Sequence, residues 1–404
     1  MAAIDVQFYD HELNHEDLIA QRIREACSEQ VAEAYIASLC SIVRKGLSFS
    51  WEEFVLHALW ADAKDYECNL TRKRLEVDVP LAEGFFRRQF ELGSGFSLTE
   101  GKKGSSLSEE MGVSICLMIA EKVFELTEAD WTPIPQEHKR KINDFRITAA
   151  ADSVRIEVEA KGRCVDNPMH QKGLKEAAAS IFEKKVAQRA NQNTSIMLGV
   201  IAALAKDRSE PAAAYLLDPE PEGSQLEPHA QKLLSRHQFY VKALNVIMGR
   251  AHFQVSLHER TRMLVKLGNR CQVLDGEPLT KPSGETYQIH SNSFVSKCHV
   301  AGSIGTVIVT DGEESSLYYW GIKKDVLQLL AEQNHSAIRE FRAKAGYVRD
   351  LYAKFDVKIR EKDAKRLKAD TDSKSSSSNL LGMKVTGKLF CSSSGIVFGK
   401  LEPC

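Results

Sequence analysis

The cysteines of this chain lack the close spacing that zinc sites need. The chain has nine cysteines, and none stands in a C-x-x-C pair, which argues against zinc ribbons and zinc fingers. The chain also lacks a basic start followed by an apolar run, and it has no stretch of about eighteen apolar residues. We therefore expect no signal peptide and no membrane span, and free thiols without an export signal favour the cytoplasm.

The chain also lacks a large net charge of either sign. The formal net charge is −1, so the whole molecule is not a general polyanion binder, and any nucleic-acid surface must be a local patch. The P-loop pattern G-x-x-x-x-G-K-[ST] does not occur, so we expect no ATPase within this chain. A motor or sensor ATPase, if the function needs one, would be a partner subunit.

The length of 404 residues allows two or three domains. Helical periodicity predicts an N-terminal helical region over residues 1–100, with a short strand near Leu75–Val79. An α/β domain is predicted over 101–215, an α+β accessory region over 216–372, and a Ser-rich linker with a terminal hairpin over 373–404.

The predicted α/β domain has the order helix, three strands, helix, strand. Ser108 is the expected N-cap of its first helix, after a Gly- and Ser-rich loop over 93–106. The predicted elements are a helix over 111–124, a strand or turn over 130–135, strands over 144–148 and 154–161, a loop over 162–168, a helix over 171–190 and a buried strand over 195–204. Residues 209–228, with four prolines, are expected to form a surface loop.

The C-terminal part mixes helices with short strands. The pattern predicts a helix over 231–249, short strands and turns over 271–322, a helix over 323–344, and a hairpin over 383–400 that turns at Ser392–Gly395. Between Arg339 and Lys368, 11 basic residues face 5 acidic ones. This run is either a solvated helix or an arm that contacts DNA.

Residues 154–161 read V-R-I-E-V-E-A-K with strict alternation. A strand here places Glu157, Glu159 and Lys161 on one face, opposite the apolar side chains. Asp144 lies fifteen residues before Glu159, in the preceding predicted strand. Carboxylates beside an amine can hold a hard divalent cation and place a proton-handling lysine next to it.

The pattern D-x(14)-E-x-K on two consecutive strands, after a helix that opens with glutamates, resembles the PD-(D/E)XK nuclease superfamily, which includes many restriction endonucleases. The resemblance covers about residues 105–205. It implies a restriction-endonuclease-like mixed-sheet core flanked by helices, within an α/β fold. The family's proline before the aspartate is Asn143 here, and no tyrosine completes the Gln-x-x-x-Tyr motif of the exonuclease branch after Gln171.

Carried over residue by residue, the resemblance implies that Asp144 and Glu159 bind Mg²⁺, with Mn²⁺ as a substitute. Lys161 would be the catalytic lysine, and Glu110 the acid of the first helix. Glu157 remains a rival to Glu159, and Glu109 a rival to Glu110. Cations suited to a nucleic-acid backbone follow the strand, at Arg163, Lys172 and Lys175.

We therefore expect a Mg²⁺-dependent nuclease, with a DNA endonuclease of restriction or anti-phage defence favoured over an RNA enzyme. A homodimer is an open alternative, since restriction-like enzymes often cut both strands as dimers. One rival is a catalytically inactive nuclease fold that binds nucleic acid. Another is a structural subunit of a larger complex, in which the alternating charges of the strand are a solvated face with ion pairs.

Overall fold

A computed structural model describes residues 1–9, 14–61, 71–91, 102–133, 146–149, 154–187, 195–206, 211–218, 227–249, 251–289, 298–310, 316–348, 355–360, 367 and 380–404. The fold is mixed α/β, as the sequence predicted, with mixed sheets and helices. The chain divides into two compact units, one of residues 1–64 and 81–235 and the other of residues 65–80 and 236–404.

Helices occur in both units. The described α-helices are α1 His15–Ala26, α2 Glu29–Lys45, α3 Trp51–Ala61, α4 Arg72–Phe86, α5 Lys102–Phe124, α6 Lys175–Ala187, α7 Pro228–Met248, α8 His252–Leu267, α9 Lys324–Glu332 and α10 His335–Glu340. A π-helical turn, Arg87–Glu91, follows α4, and 3-10 helices span Gln171–Leu174 and Gly268–Leu274. Among these helices we find no span with the length and hydropathy that crossing a bilayer requires.

The strands form one sheet in each unit. They are β1 Ala2–Phe8, β2 Leu47–Phe49, β3 Thr132–Pro133, β4 Arg146–Ala149, β5 Arg155–Val165, β6 Ser195–Ala205, β7 Ala213–Leu217, β8 Cys298–Val300, β9 Ser303–Val309, β10 Leu317–Lys323, β11 Gly346–Tyr347, β12 Phe355–Arg360, β13 Leu380–Gly387, β14 Phe390–Cys391 and β15 Ile396–Pro403.

In the first unit, the described strands form a seven-stranded mixed sheet in the order β2-β1-β7-β6-β5-β4-β3. Strands β5 and β6 are parallel and are joined through α6, while β4 runs antiparallel to β5. Their hydrogen-bonded register continues without interruption from Arg155–Ser195 to Val165–Ala205. The order helix, three strands, helix, strand is thus present, and β6 is buried on both faces as its apolar run predicted.

Helices α5 and α6 pack on opposite faces of this sheet. The α6 side chains Ala177 and Ile181 share a buried cluster with Val165, Ile201 and Ala203. On the other face, Gly112 of α5 meets Gly162 and the Cβ atom of Ala202. Alternation along β5 then assigns every residue of the strand to one helix or the other.

The second unit contains an eight-stranded sheet, in which every described pair is antiparallel. The predicted terminal hairpin is confirmed, because β14 and β15 pair across a turn in which Gly395 has φ +86°. The core of this sheet includes Tyr319, Val385 and Val397, each with at most 1% of its surface exposed.

Several predicted elements are wrong. Leu75–Val79 lies in α4 and is not a strand, and β1 and β2 are strands inside the region predicted to be helical. Helix α5 begins at Lys102, so Ser108 lies within the helix and is not its N-cap.

Three further boundaries differ. The predicted loop after Lys161 is strand as far as Val165, and the predicted surface loop over 209–228 contains the fully buried strand β7. Residues 268–274 form a 3-10 helix, and the predicted helix over 323–344 is divided between α9 and α10 and ends at Glu340.

Candidate functional site

Strand β5 buries both of its faces. On the α5 side, Ile156, Val158 and Ala160 are at most 2% exposed, as their alternation predicted. On the other side, Glu157 and Glu159 have no exposed surface. The interpretation of this charged face as a solvated one is therefore wrong, because two carboxylates lie in the interior, where an unpaired charge is costly.

Glu159 and Lys161 form an ion pair along this face, with 3.1 Å between the carboxylate Oε1 and the ammonium Nζ. The two residues are neighbours because side chains two apart on a strand project to the same face. The Lys161 side chain is 13% exposed and Glu159 is fully buried. The pair therefore combines a desolvated carboxylate with an ammonium that still reaches the surface.

The charged residues of β5 lie on the face that α6 covers. Val165 belongs to the buried cluster of α6, and the uninterrupted register puts Glu157, Glu159 and Lys161 on the same side of the strand. Lys161 pairs across the strands with Ile201 of that cluster. The opposite face carries the thiol of Cys116, which donates to the carbonyl of Val200 at 3.3 Å.

Burial dominates the electrostatics around the strand. It lowers the pKa of Arg155, although the negative charge of Glu157 opposes that change. It also raises the pKa of Cys116 to about 12, so this thiol is protonated at neutral pH and has no thiolate to act as a nucleophile.

The other predicted site residues are placed only in part. Asp144 lies outside the described residues, as do the side chains of Glu109 and Glu110, whose backbone is in α5. The described part of β4 begins at Arg146, which pairs with Val158, the neighbour of Glu159. The structure therefore brings together Glu157, Glu159 and Lys161, and the positions of the other predicted acids stay predictions.

The predicted nucleic-acid contacts follow β5. Arg163 shares its face with Lys161, and its guanidinium donates to the carbonyl of Gly162 at 3.1 Å. Lys175 is exposed at the start of α6, and Lys172 lies in the 3-10 helix before it, with its side chain outside the described part. Lys206, just after β6, forms an ion pair with Asp166 at 3.1 Å.

The carboxylates of β5 have the donor chemistry of a hard-cation site, since Mg²⁺ prefers carboxylate oxygens. Within the described residues, no group of three His, Cys, Asp or Glu side chains is arranged to hold a metal ion. For a metal site, Glu157 and Glu159 would supply only part of the ligand set, and Asp144 and the glutamates of α5 would have to complete it.

Sequence reasoning missed a buried polar cluster against α5. His57 of α3 lies 2.8 Å from a carboxylate oxygen of Glu121, whose other oxygen accepts from the indole of Trp131 at 2.8 Å. Burial alone would lower the pKa of His57, but the Glu121 carboxylate raises it to about 9. The spacing of these residues in sequence gave no signal, because they belong to different elements.

Comparisons of the chain with protein-family models, with curated proteins and with solved structures gave no match.

Proposed function

We propose that this protein is a divalent-cation-dependent nuclease that hydrolyses phosphodiester bonds at β5. The observation that carries the proposal is the ion pair of Glu159 and Lys161, held on the buried charged face of a central strand. This is the spacing of residue types that the PD-(D/E)XK resemblance requires.

The topology of the first unit also supports a restriction-endonuclease-like core. The order α5-β3-β4-β5-α6-β6, with β4 antiparallel and β6 parallel to β5, agrees with the helix and strand order around the predicted site. Helices α5 and α6 cover opposite faces, so the charged face of β5 belongs to the layer between the sheet and α6.

In the proposed mechanism, Glu159 and Asp144 would hold Mg²⁺, with Glu157 and Glu110 as the further candidate acids. When bound, the cation would supply charge neutralisation of the phosphate and a more acidic water. Lys161 would position the attacking water or a phosphate oxygen as a hydrogen-bond donor, because its ammonium group lies beside the Glu159 carboxylate and reaches the surface. Arg163, Lys172 and Lys175 hold the nucleic-acid backbone.

The resemblance also suggests a biological context. DNA is the favoured substrate, in restriction or anti-phage defence in the cytoplasm, with a partner ATPase or a second copy of the chain as further components. These expectations rest on the resemblance, since fold similarity does not by itself define a biological role.

The test compares plasmid and single-stranded substrates with wild type, Glu159→Gln, Lys161→Met and the double variant, in Mg²⁺ and in Mn²⁺. Each single variant should lose at least about 10²-fold in cleavage rate. Each also leaves one buried charge without its partner, which costs about 3–5 kcal/mol in stability. The double variant removes both charges, so it should regain much of this stability without regaining cleavage.

Lys45→Met, at an exposed position in α2, is the matched control and should cleave like wild type. Recovery of cleavage together with stability in the double variant would show that the pair is purely structural. A wild-type protein that binds nucleic acid but cuts none of these substrates in either metal would favour the inactive, binding rival.

A further inference from the structure

A basic cavity of about 700 Å³ lies within the second unit, between the start of α9 and the segment that leads into β11. Among the described residues that line it, four are cations and one, Asp325, is a carboxylate. In a molecule whose formal net charge is −1, this is a local concentration of positive charge. Such a patch attracts an anionic partner.

The cations converge from two separate segments of the chain. Lys323 and Lys324 stand at the junction of β10 and α9, whereas Arg342 and Lys344 belong to the segment after α10. Arg342 and Lys344 are exposed and the two other lysines are half-buried. The basic run after Arg339 therefore contributes to a concave surface, which its sequence alone could not show.

Hydrogen bonds hold the backbone around the cavity at several points. Ala343 donates to the carbonyl of Ser393 at 2.8 Å, and Val348 donates to the carbonyl of Leu389 at 3.0 Å. The ammonium group of Lys323 donates to the carbonyl of Ala301 at 2.6 Å. The cations are thus presented from an ordered frame, which lowers the entropic cost of binding.

An exposed aromatic ring completes the surface. Tyr347 lines the cavity and is 43% exposed. Its ring packs edge-on against Phe390 at 5.8 Å, and the ammonium of Lys388 lies 5.6 Å from its centroid. An exposed aromatic ring in a basic cavity is typical of surfaces that bind single-stranded nucleic acid, where bases stack on aromatics and lysines contact phosphates.

We propose that this cavity binds a single-stranded segment of nucleic acid. Lys323, Lys324, Arg342 and Lys344 contact its phosphates, and Tyr347 stacks on a base. The inference rests on the proposed function for the choice of nucleic acid among polyanions. The residues that line this cavity are separate in sequence from β5. Binding of the single strand to the cavity can therefore be measured without cleavage at β5.

The experiment measures fluorescence anisotropy of a labelled 20-nucleotide DNA strand of mixed sequence with the full chain in EDTA. Lys324→Glu/Lys344→Glu should weaken binding by at least about 10-fold and lower the slope of log affinity against log salt by about 1.4, the value for two lost phosphate contacts on a single strand. Tyr347→Ala should weaken single-strand binding by about 10-fold and leave the salt slope unchanged.

The control is Lys266→Glu/Arg270→Glu, which makes the same charge change at exposed positions of the same unit. It should stay within about two-fold of wild type, since a distant charge is screened. Equal losses in both double variants would overturn the cavity as the binding site. Tighter binding of a blunt duplex that Tyr347→Ala does not change would overturn the single-strand assignment.

The nuclease site proposed on β5 and the proposed strand-binding cavity can be disproved independently of each other. Loss of strand binding in the cavity variants, with cleavage still present in Glu159→Gln and Lys161→Met, would support the cavity and reject the site on β5. Cleavage that depends on Glu159 and Lys161, with unchanged binding in the cavity variants, would reject the cavity alone.

Discussion

Glu159 and Lys161 depend on each other, because the Glu159 carboxylate has no exposed surface and lies beside the Lys161 ammonium group. In the 3.1 Å pair, the charge of each side chain contributes to the compensation of the other. A metal ion at the same carboxylate would change that balance, since the cation would take over the compensation of Glu159 and release the lysine for chemistry. Stability and catalysis must therefore be measured together on every variant of this pair.

A second buried pair gives a pH-dependent prediction. His237 and His335 pack edge-to-face with ring centroids 6.0 Å apart, and neither ring nitrogen of His237 has a hydrogen-bond partner among the described residues. Burial, reinforced by the positive charge of His335 and Arg260, lowers the pKa of His237 to about 3. His237 therefore stays neutral in the folded protein at pH values where the unfolded chain binds a proton.

Above pH 6.5 both states are neutral and His237 contributes nothing to the pH dependence, but stability is lost as the pH falls from 6.5 towards 3. One such histidine should lower the free energy of unfolding by about 2 kcal/mol between pH 6.5 and 5. His237→Asn should remove this part of the pH dependence, measured by urea unfolding at pH 7.5, 6.0 and 5.0. Parallel pH profiles for wild type and variant would contradict the assignment.

At the scale of elements, the contact of α5 with β5 depends on two glycines. A Cβ atom on Gly112 would come closer than 3.0 Å to the Cα atom of Gly162, which is backbone and cannot rotate away. Gly112→Ala should therefore destabilise the protein by about 1–3 kcal/mol, despite the better helix propensity of alanine. Chemical denaturation of the variant measures this loss.

The control is Gly84→Ala in α4, where an added Cβ atom meets nothing within 4 Å. This change should be neutral or should stabilise the helix by about 0.5–1 kcal/mol. If the free energy of unfolding rises as much in Gly112→Ala as in the control, then α5 can move away from the strand without loss of stability.

Elements with a clear hydrophobic period could be predicted from sequence. Elements whose burial depends on tertiary packing could not. The alternation of β5 and the apolar run of β6 predicted both strands. Strand β7 was missed because its short apolar run stands among prolines and acids, and only its place between β1 and β6 makes it a central strand. The start of α5 was missed because a Gly- and Ser-rich composition is typical of loops.

The candidate site divides in the same way. Alternation predicted that Glu159 and Lys161 share a face, and their ion pair agrees with that prediction. The burial of Glu157 and Glu159 could not be predicted, because a charged face has the same pattern whether solvent or a helix covers it. The role of Asp144 stays a prediction.

At the scale of the whole molecule, residues far apart in sequence complete one unit. Arg72, at the start of α4, donates to Thr306 Oγ1 at 3.2 Å and also to the carbonyl of Val307. The segment 65–80 belongs to the same unit as residues 236–404. The second unit therefore needs a short segment from the N-terminal half of the chain.

Arg72→Met should destabilise the second unit by about 1.5–3 kcal/mol, because it removes charged hydrogen bonds to β9. Arg74→Met is the control, since the described ion pair of Arg74 with Asp78 is partly exposed and has i, i+4 spacing, and such a pair is worth under about 0.5 kcal/mol. Tryptophan fluorescence during denaturation follows the transition of this unit when Trp51, Trp60 and Trp131 of the first unit are replaced by Phe, which leaves the fully buried Trp320 as the reporter. Equal effects of the two substitutions would argue that the hydrogen bonds of Arg72 add little.

The glycine-to-glycine approach of α5 to β5 also has a consequence for access. Backbone meets backbone there, so the α5 side of β5 is closed at Gly162. The Lys161 side chain projects to the opposite face, which α6 covers, and keeps 13% of its surface exposed. A small amine-reactive reagent should therefore approach this lysine only from the α6 side of the sheet.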